Sequence, residues 1–358
     1  MASLNGSPAV GDVVLDIEGL VVEYRTRGSA MRVLPGVDLT ITRGEVVGLV
    51  GESGSGKSTL ALAALRLLPA NGRIAAGRIV LDGTTDVTSV SREQLRRLRG
   101  EKVAMIFQDP LTSLNPTFKI GRQMIDVQRA HCGGRVRFAE RKQFQQKATA
   151  LLREVGLPDA DQLMHSYPHQ LSGGMRQRVM TAMALSLEPE LLIADEPTSA
   201  LDVTTEAQIL GLLRQIKADR DLTILFVTHD LSVVAEICDR VVVMYAGQVM
   251  EQGDVADVFE RPQHPYTRAL LDAVPTRSHR GQPLHTIPGR VPSLIGEFRG
   301  CRFASRCSYV QDVCRTEEPR PVASDSSEAV RCHMRDPGSA YEHAGLSTTA
   351  TPKAVPPA

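Results

Sequence analysis

The chain has 358 residues, enough to bury the core of one large domain with an appendage, or of two domains. Its 41 Lys and Arg balance 41 Asp and Glu, so no net charge draws it to nucleic acid or to an anionic bilayer. The longest apolar runs, at 222–228 and 241–245, fall far short of the roughly eighteen residues that span a membrane.

The N-terminal stretch MASLNGSPAVGD has neither the basic nor the apolar region of a secretory signal, which predicts a cytoplasmic protein that meets a membrane only through partners. Residues 13–24 alternate partly, and after a polar turn the runs 37–41 and 45–50 read as short strands. Then comes GESGSGKS, Gly51 to Ser58, followed by STLALAALRLL over 58–68, apolar at helical spacing. Strand, glycine loop and helix in that order are the context a phosphate-binding loop needs. Residues 103–107 predict a buried strand. The polar stretch 117–166, with a helix over 139–155 whose apolar positions Phe144, Ala148, Leu151, Leu152 and Val155 share one face, predicts an inserted helical subdomain. A helix over 175–187 precedes buried strands at 191–194 and 223–228, themselves separated by a helix over 205–218. Strands alternating with helices predict an α/β fold, a mostly parallel sheet covered on both faces. Beyond Gly247 Pro and Gly become frequent and periodicity fades, and from about Asp336 too little apolar surface remains to order the tail.

In the glycine loop the backbone can turn tightly enough to aim N–H groups at phosphate oxygens, with Lys57 reaching the terminal phosphates and the Ser58 hydroxyl a ligand for Mg²⁺. The run 191–194 delivers a carboxylate pair. Asp195 is placed to hold Mg²⁺, and Glu196 to take a proton from, or orient, an attacking water. Read alone, the pair could equally cap a helix. Ser172, Gly173 and Gly174 open the helix at 175 as a second anion-binding terminus or as a plain cap.

The strings QLSGGMRQR (170–178) and LLIADEPTSALD (191–202), added to the loop, resemble the ATP-binding cassette family over roughly residues 13–250. The resemblance implies a P-loop ATPase with a RecA-like core, an antiparallel β subdomain, a helical signature subdomain and a small cysteine-containing C-terminal extension. It implies ATP and Mg²⁺ as ligands, bound by Gly51, Ser53, Gly54, Ser55, Gly56, Lys57, Ser58 and Thr59. Gln108 and Asp195 join Ser58 at the metal, Glu196, His229 and Gln108 act in hydrolysis, and Tyr24 stacks on adenine, unless it is simply a strand aromatic in the core. Ser172, Gly173, Gly174 and Asp202 would act across a dimer, on ATP held by the other subunit. FQDPLTSLNP (107–116), YPHQLSGGMRQR (167–178), HPYT (264–267), IPGRVPSL (287–294) and GCRFASRC (300–307) are similar to the ATPase subunits of dipeptide and oligopeptide importers, whose relatives include nickel importers. That branch implies a second ATPase subunit, favoured as a heterodimer, two permease subunits, an extracytoplasmic solute-binding protein, and a peripheral position on the cytoplasmic membrane face. The expected boundaries are a flexible N-terminus at 1–12, a nucleotide-binding domain at 13–255 with its helical subdomain at about 109–185, an extension at 256–335, and a disordered tail at 336–358.

Cys301, Cys307, Cys314 and Cys332 crowd into one stretch, while Cys132 and Cys238 are isolated. In a reducing compartment such crowding favours metal over disulfides, and the spacing is not that of common zinc knuckles or ferredoxin loops. It matches the pattern of the importer ATPases, some of which hold a [4Fe–4S] cluster; zinc and metal-free thiols stay open as alternatives. A cassette acting on nucleic acid, or a nucleotide switch without mechanical output, are the rival functions. The first would call for two cassettes, a coiled-coil insertion or a basic face, and the second leaves the signature and SALD segments unexplained.

Overall fold

The computed structural model describes residues 12–26, 29–109, 113–132, 138–199, 201–274, 286–294, 298–324 and 326–342. Strands β1 (Val13–Thr26), β2 (Ser29–Thr42), β4 (Gly72–Leu81) and β5 (Thr85–Asp86) form a sheet of order β2-β1-β4-β5, with β4 and β5 antiparallel. Val37, Leu39 and Ile41 are buried while Asp38 between them is exposed, the two-residue period of a strand with one face in the core. β2 is longer than the expected run because it passes through Pro35–Gly36, where Gly36 takes a φ of 132° that side chains disfavour.

The remaining elements fall into two compact units, each described by itself. One gathers described residues within 16–39, 46–79 and 227–342. It holds β3 (Val46–Val50), α1 (Lys57–Ala64), α8 (Leu231–Ile237), β9 (Arg240–Tyr245), β10 (Gln248–Asp254), α9 (Val255–Glu260), α10 (Pro265–Asp272), α11 (Asp312–Thr316), β11 (Pro321–Ser324) and β12 (Ser327–Arg331), with strand order β11-β12-β10-β9-β3. β3 and β9 are parallel, Val47 facing Arg240 and Val50 facing Val243, and every residue of both strands is buried. β9 and β10 form an antiparallel hairpin whose two turn residues, Ala246 and Gly247, both have positive φ, as a tight hairpin matching strand twist requires. Its core joins Val234, Val243, Tyr245, Val258 and Tyr266 to Phe303 and Cys301. Val258, Tyr266, Cys301, Phe303 and Cys314 of the C-terminal extension therefore share one hydrophobic cluster with β9 and β10. The tail expectation begins too early: Tyr341 is buried in that cluster, and Asp336 pairs with Arg320 at 2.6 Å. One tyrosine and one bidentate ion pair suffice to hold a stretch that its sparse apolar content marked as unable to order. Residues 343–358, the rest of that tail, lie outside the described residues, as do 1–11 of the N-terminal segment.

The other unit gathers residues 12–15, 40–45 and 80–226. It holds α2 (Arg92–Glu101), β6 (Val103–Ile106), α3 (Ile120–His131), α4 (Phe138–Glu154), the single turn α5 (Ala160–Leu163), α6 (Gly173–Ala184), β7 (Leu191–Asp195), α7 (Val203–Arg220) and β8 (Thr223–Val227), with strand order β8-β7-β6. β6 and β7 are parallel with Val103 opposite Leu191. On α4 most of the expected stripe holds: Ala148, Leu151 and Leu152 are buried, as is Val155 just beyond its end, while Phe144 is half-buried. Among the described residues no helix is long and apolar enough to cross a membrane.

Candidate nucleotide site and cysteine extension

The glycine loop follows β3 and ends at the N-terminus of α1, whose cap residue Gly56 has a φ of 101°. A Cβ on Gly51 would lie 2.1 Å from the Met244 carbonyl oxygen in β9, and one on Gly56 would lie 2.9 Å from Leu34. The loop is thus held at its start by a backbone approach to β9, and at its end by a positive φ and the Leu34 side chain, both of which favour glycine. Gly247 N–H donates to the Ser55 carbonyl at 2.8 Å, a further clasp from the β9–β10 turn. Lys57 is buried, its ammonium donating to the carbonyls of Gly51 at 2.7 Å and Glu52 at 3.1 Å, so its charge sits inside the curl of the loop. Ser53 and Gly54 are exposed, Ser58 and Thr59 half-buried. The Tyr24 hydroxyl lies 3.5 Å from the Thr59 hydroxyl, and its ring is half-buried. His229 is exposed two residues past β8.

Gln108, Asp195, Glu196, Ser172, Gly173, Gly174 and Asp202 belong to the other unit. β7 ends on Asp195, a buried carboxylate, and the chain then bends at Glu196, whose φ of 46° is left-handed. A non-glycine residue there costs on the order of 1–3 kcal/mol, the kind of strain that gathers where a side chain must be aimed. Gln108 donates through Nε2 to Glu196 Oε2 at 2.8 Å, so two of the expected residues meet, and the Ser199 hydroxyl donates to the Glu196 carbonyl at 3.1 Å. Ser172 caps α6, its Oγ accepting from Met175 N–H at 3.3 Å. Asp202 caps α7: Oδ1 accepts from Thr205 N–H at 3.0 Å and Oδ2 from the Thr205 hydroxyl at 2.7 Å. The Thr205 hydroxyl, and then its amide, hold the Asp202 carboxyl below the usual range. Both side chains act as caps: for Ser172 this is the plainer of the two roles open to it from sequence, and for Asp202 it is a role the sequence did not suggest. Gly174 has a packing reason as well, since a Cβ there would lie 2.5 Å from Thr205 Cγ2 on α7.

The extension packs on the phosphate loop through residues that sequence reasoning did not single out. The hydroxyl of Tyr266 accepts from Glu52 N–H at 2.9 Å. Arg306 donates to the Glu52 carboxylate at 2.9 Å and to the Tyr245 hydroxyl at 3.2 Å. His264 opens α10, its Nδ1 accepting from Tyr266 N–H at 2.9 Å, and burial holds its imidazole down at about 3. The signal was in hand, because Tyr266 lies in HPYT and Arg306 in GCRFASRC, but neither string discloses what its residues touch.

Cys301, Cys307, Cys314 and Cys332 all line one cavity together with His333, which is buried, not on the surface. All four are free thiols, and burial pushes Cys301 and Cys332 up to about 12. The donor set suits a soft metal or a cluster. The spacing does not assemble one: among the described residues no group of three or more His, Cys, Asp or Glu side chains is arranged to hold a metal ion. Lining one cavity is the weaker criterion, and the ligand spacing is the one that bears on a metal.

The family model for the ABC transporter matches residues 34–199, and that for the oligopeptide/dipeptide transporter C-terminal region matches residues 250–314. The dipeptide transport ATP-binding protein DppD of Escherichia coli K12 is 43% identical over 320 residues, covering 89% of this chain and 96% of its own. The chain belongs to the ABC transporter family. Within it, the cassette is also similar to the oligopeptide transport ATP-binding protein OppD of Salmonella typhimurium LT2, 44% identical over 87% of this chain and 91% of that one. Among solved structures, the ATP-binding cassette MJ0796, a dimer in a post-hydrolysis state with ADP and Pi, aligns with a TM-score of 0.59 and 27% identity, over 67% of this chain and 98% of that one. The ABC ATPase fold and ATP as its ligand follow from membership, and the C-terminal region sets the branch.

Proposed function

We propose that this cassette hydrolyses ATP to power import of dipeptides or oligopeptides through a membrane complex. The observation that carries the cargo class is the C-terminal match over 250–314, shared with relatives named for dipeptide and oligopeptide transport that align along nearly their whole length. The chain pairs with a second ATPase subunit, favoured as a different one, and lies on the cytoplasmic face against two permease subunits that receive peptide from an extracytoplasmic binding protein. A dimeric relative bound to ADP and Pi supports the pairing.

In this reading the backbone of Gly51 to Gly56 and the Lys57 ammonium bind the phosphates, with Tyr24 at the base. Lys57 exchanges its loop carbonyls for phosphate oxygens, which asks for no new charge in the site. Ser58, Asp195 and Gln108 would hold Mg²⁺, which when bound neutralises charge on the β- and γ-phosphates. Glu196 orients and deprotonates the attacking water, and its present bond to Gln108 keeps the carboxylate aimed. His229 contacts the γ-phosphate, and Ser172, Gly173 and Gly174 with Asp202 serve the partner's ATP. The four cysteines line one cavity, but among the described residues their spacing does not assemble a metal site, so no step of this reading runs through a [4Fe–4S] cluster. Glu196→Gln in the purified complex is expected to cut ATP turnover roughly 100- to 10,000-fold while leaving ATP binding intact. Unchanged turnover would show that this carboxylate does not serve the working site.

A further inference from the structure

The phosphate loop is held by groups that ATP chemistry does not require. Glu52, its second residue, donates its N–H to the Tyr266 hydroxyl and gives its carboxylate to Arg306, whose side chain is only 4% exposed. Arg306 spends its remaining donors on the same small region: Nε on the Pro288 carbonyl at 2.9 Å, Nη2 on that of Ile287 at 3.0 Å, and Nη1 also on the Tyr245 hydroxyl. A planar guanidinium with all three nitrogens committed fixes position as well as charge. Tyr266 is fully buried, its ring 4.6 Å from that of Tyr245 and 5.3 Å from that of Phe303, so its hydroxyl has no freedom to follow a moving loop. Arg306 is the immediate neighbour of Cys307, and Phe303 and Cys307 line the sulfur cavity.

We propose that Arg306 and Tyr266 are positioning residues that set the geometry of the phosphate loop through Glu52, and that they make ATP affinity depend on the state of the cysteine extension. This rests on the reading of Gly51 to Ser58 as the ATP loop. The extension is then a clamp on nucleotide binding, and linkage makes the clamp work both ways: what loosens the packing around Cys307 weakens ATP, and ATP firms that packing.

The test compares the full chain with Arg306→Gln, Arg306→Lys, Tyr266→Phe, Glu52→Gln and the Glu52→Gln/Arg306→Gln pair, reading Kd for a fluorescent ATP analogue, KM and kcat. Arg306→Gln and Glu52→Gln are each expected to weaken binding about tenfold, with kcat at saturating ATP largely kept, because the loss falls on ground state and transition state alike. The double variant should be no worse than the weaker single, since both remove one bond. Tyr266→Phe keeps the ring and removes only the acceptor, so it carries the test if the Arg306 variants fold poorly, and Arg306→Lys should not restore affinity. Folded Arg306→Gln and Tyr266→Phe with the parent's Kd and KM would overturn the proposal, as would singles whose losses add in full. A parent chain that binds no ATP at all would instead overturn the reading of the loop.

Discussion

Gly174→Ala separates two reasons a glycine can stand in a signature segment: room for a phosphate, or room for a neighbouring helix. A Cβ at 174 would sit 2.5 Å from Thr205 Cγ2 and 3.9 Å from its Oγ1. Thr205 cannot simply turn aside, because its hydroxyl is committed to Asp202 Oδ2 at 2.7 Å and its amide to Oδ1. Either α6 and α7 move apart, an overpacking cost of about 1–3 kcal/mol, or Thr205 rotates and gives up a hydrogen bond worth about 1 kcal/mol. Alanine returns less than about 1 kcal/mol through its better helix propensity, so Gly174→Ala should lose roughly 1–2 kcal/mol of unfolding free energy, read by urea denaturation. Thr205→Ala alone should cost about 1 kcal/mol through the lost cap bond, and the double variant hardly more than that, a coupling of about 1–2 kcal/mol. Gly173→Ala is the contrast. Its Cβ would meet only Leu201 Cδ2 at 3.8 Å, ordinary contact, so stability should hold within about 0.5 kcal/mol, and any loss of ATP turnover there reports on the ligand side of the segment. A Gly174→Ala chain as stable as its parent, or single losses that sum in the double variant, would refute the packing argument.

Two further outcomes follow from burial. His264 resists protonation in the fold, about 3 against an ordinary 6.5, so its contribution is fully present above pH 6.5 and is lost as the unfolded chain takes up the proton below it. Stability should fall by about 2 kcal/mol from this group by pH 5, and His264→Asn, which keeps an N-cap acceptor for α10 but does not titrate, should flatten that part of the curve; parallel curves for the two chains would contradict it. For the cysteines, anaerobic purification should give brown protein with a broad visible band if the quartet carries a [4Fe–4S] cluster, whereas colourless protein with stoichiometric zinc would replace the cluster with that ion.

The nucleotide elements were legible because their chemistry is local. A glycine loop between strand and helix, a carboxylate pair closing an apolar run and a Ser-Gly-Gly at a helix start each carry their reason within about ten residues, and β3, β7, α4 and α6 lie within a few residues of the expected spans. Boundaries slipped where a local signal was overruled: the stretch between 24 and 37 reads as a polar turn, yet β2 starts at Ser29 and runs straight through Pro35–Gly36. The helix expected to run to residue 187 ends at Ala184 and tightens into a 3₁₀ turn over Leu185–Leu187. The C-terminal elements were not legible as structure. α9, α10, β11 and β12 are four to eight residues long, too short for a period to declare itself, and they persist only because β10 and the Tyr245–Tyr266–Phe303 cluster give them a surface.

That cluster also explains how HPYT can be a motif without being a site. The four letters have separate physical duties on one turn of backbone: His264 caps the helix, Pro265 occupies its first position where the missing N–H costs nothing, Tyr266 carries its hydroxyl to Glu52, and Thr267 packs buried. Glu251, wholly buried in β10, accepts from the amides of Gln263 and His264 at 2.7 and 2.9 Å and from the Ser327 hydroxyl at 2.7 Å, so the entry to α10 is fixed before the helix begins. Each step hands orientation to the next, from carboxylate to cap to helix to phenol to loop amide. A substitution anywhere along that series therefore reaches the phosphate loop by moving Tyr266, without touching a nucleotide, and the loss should appear in ATP affinity before it appears in the chemical step.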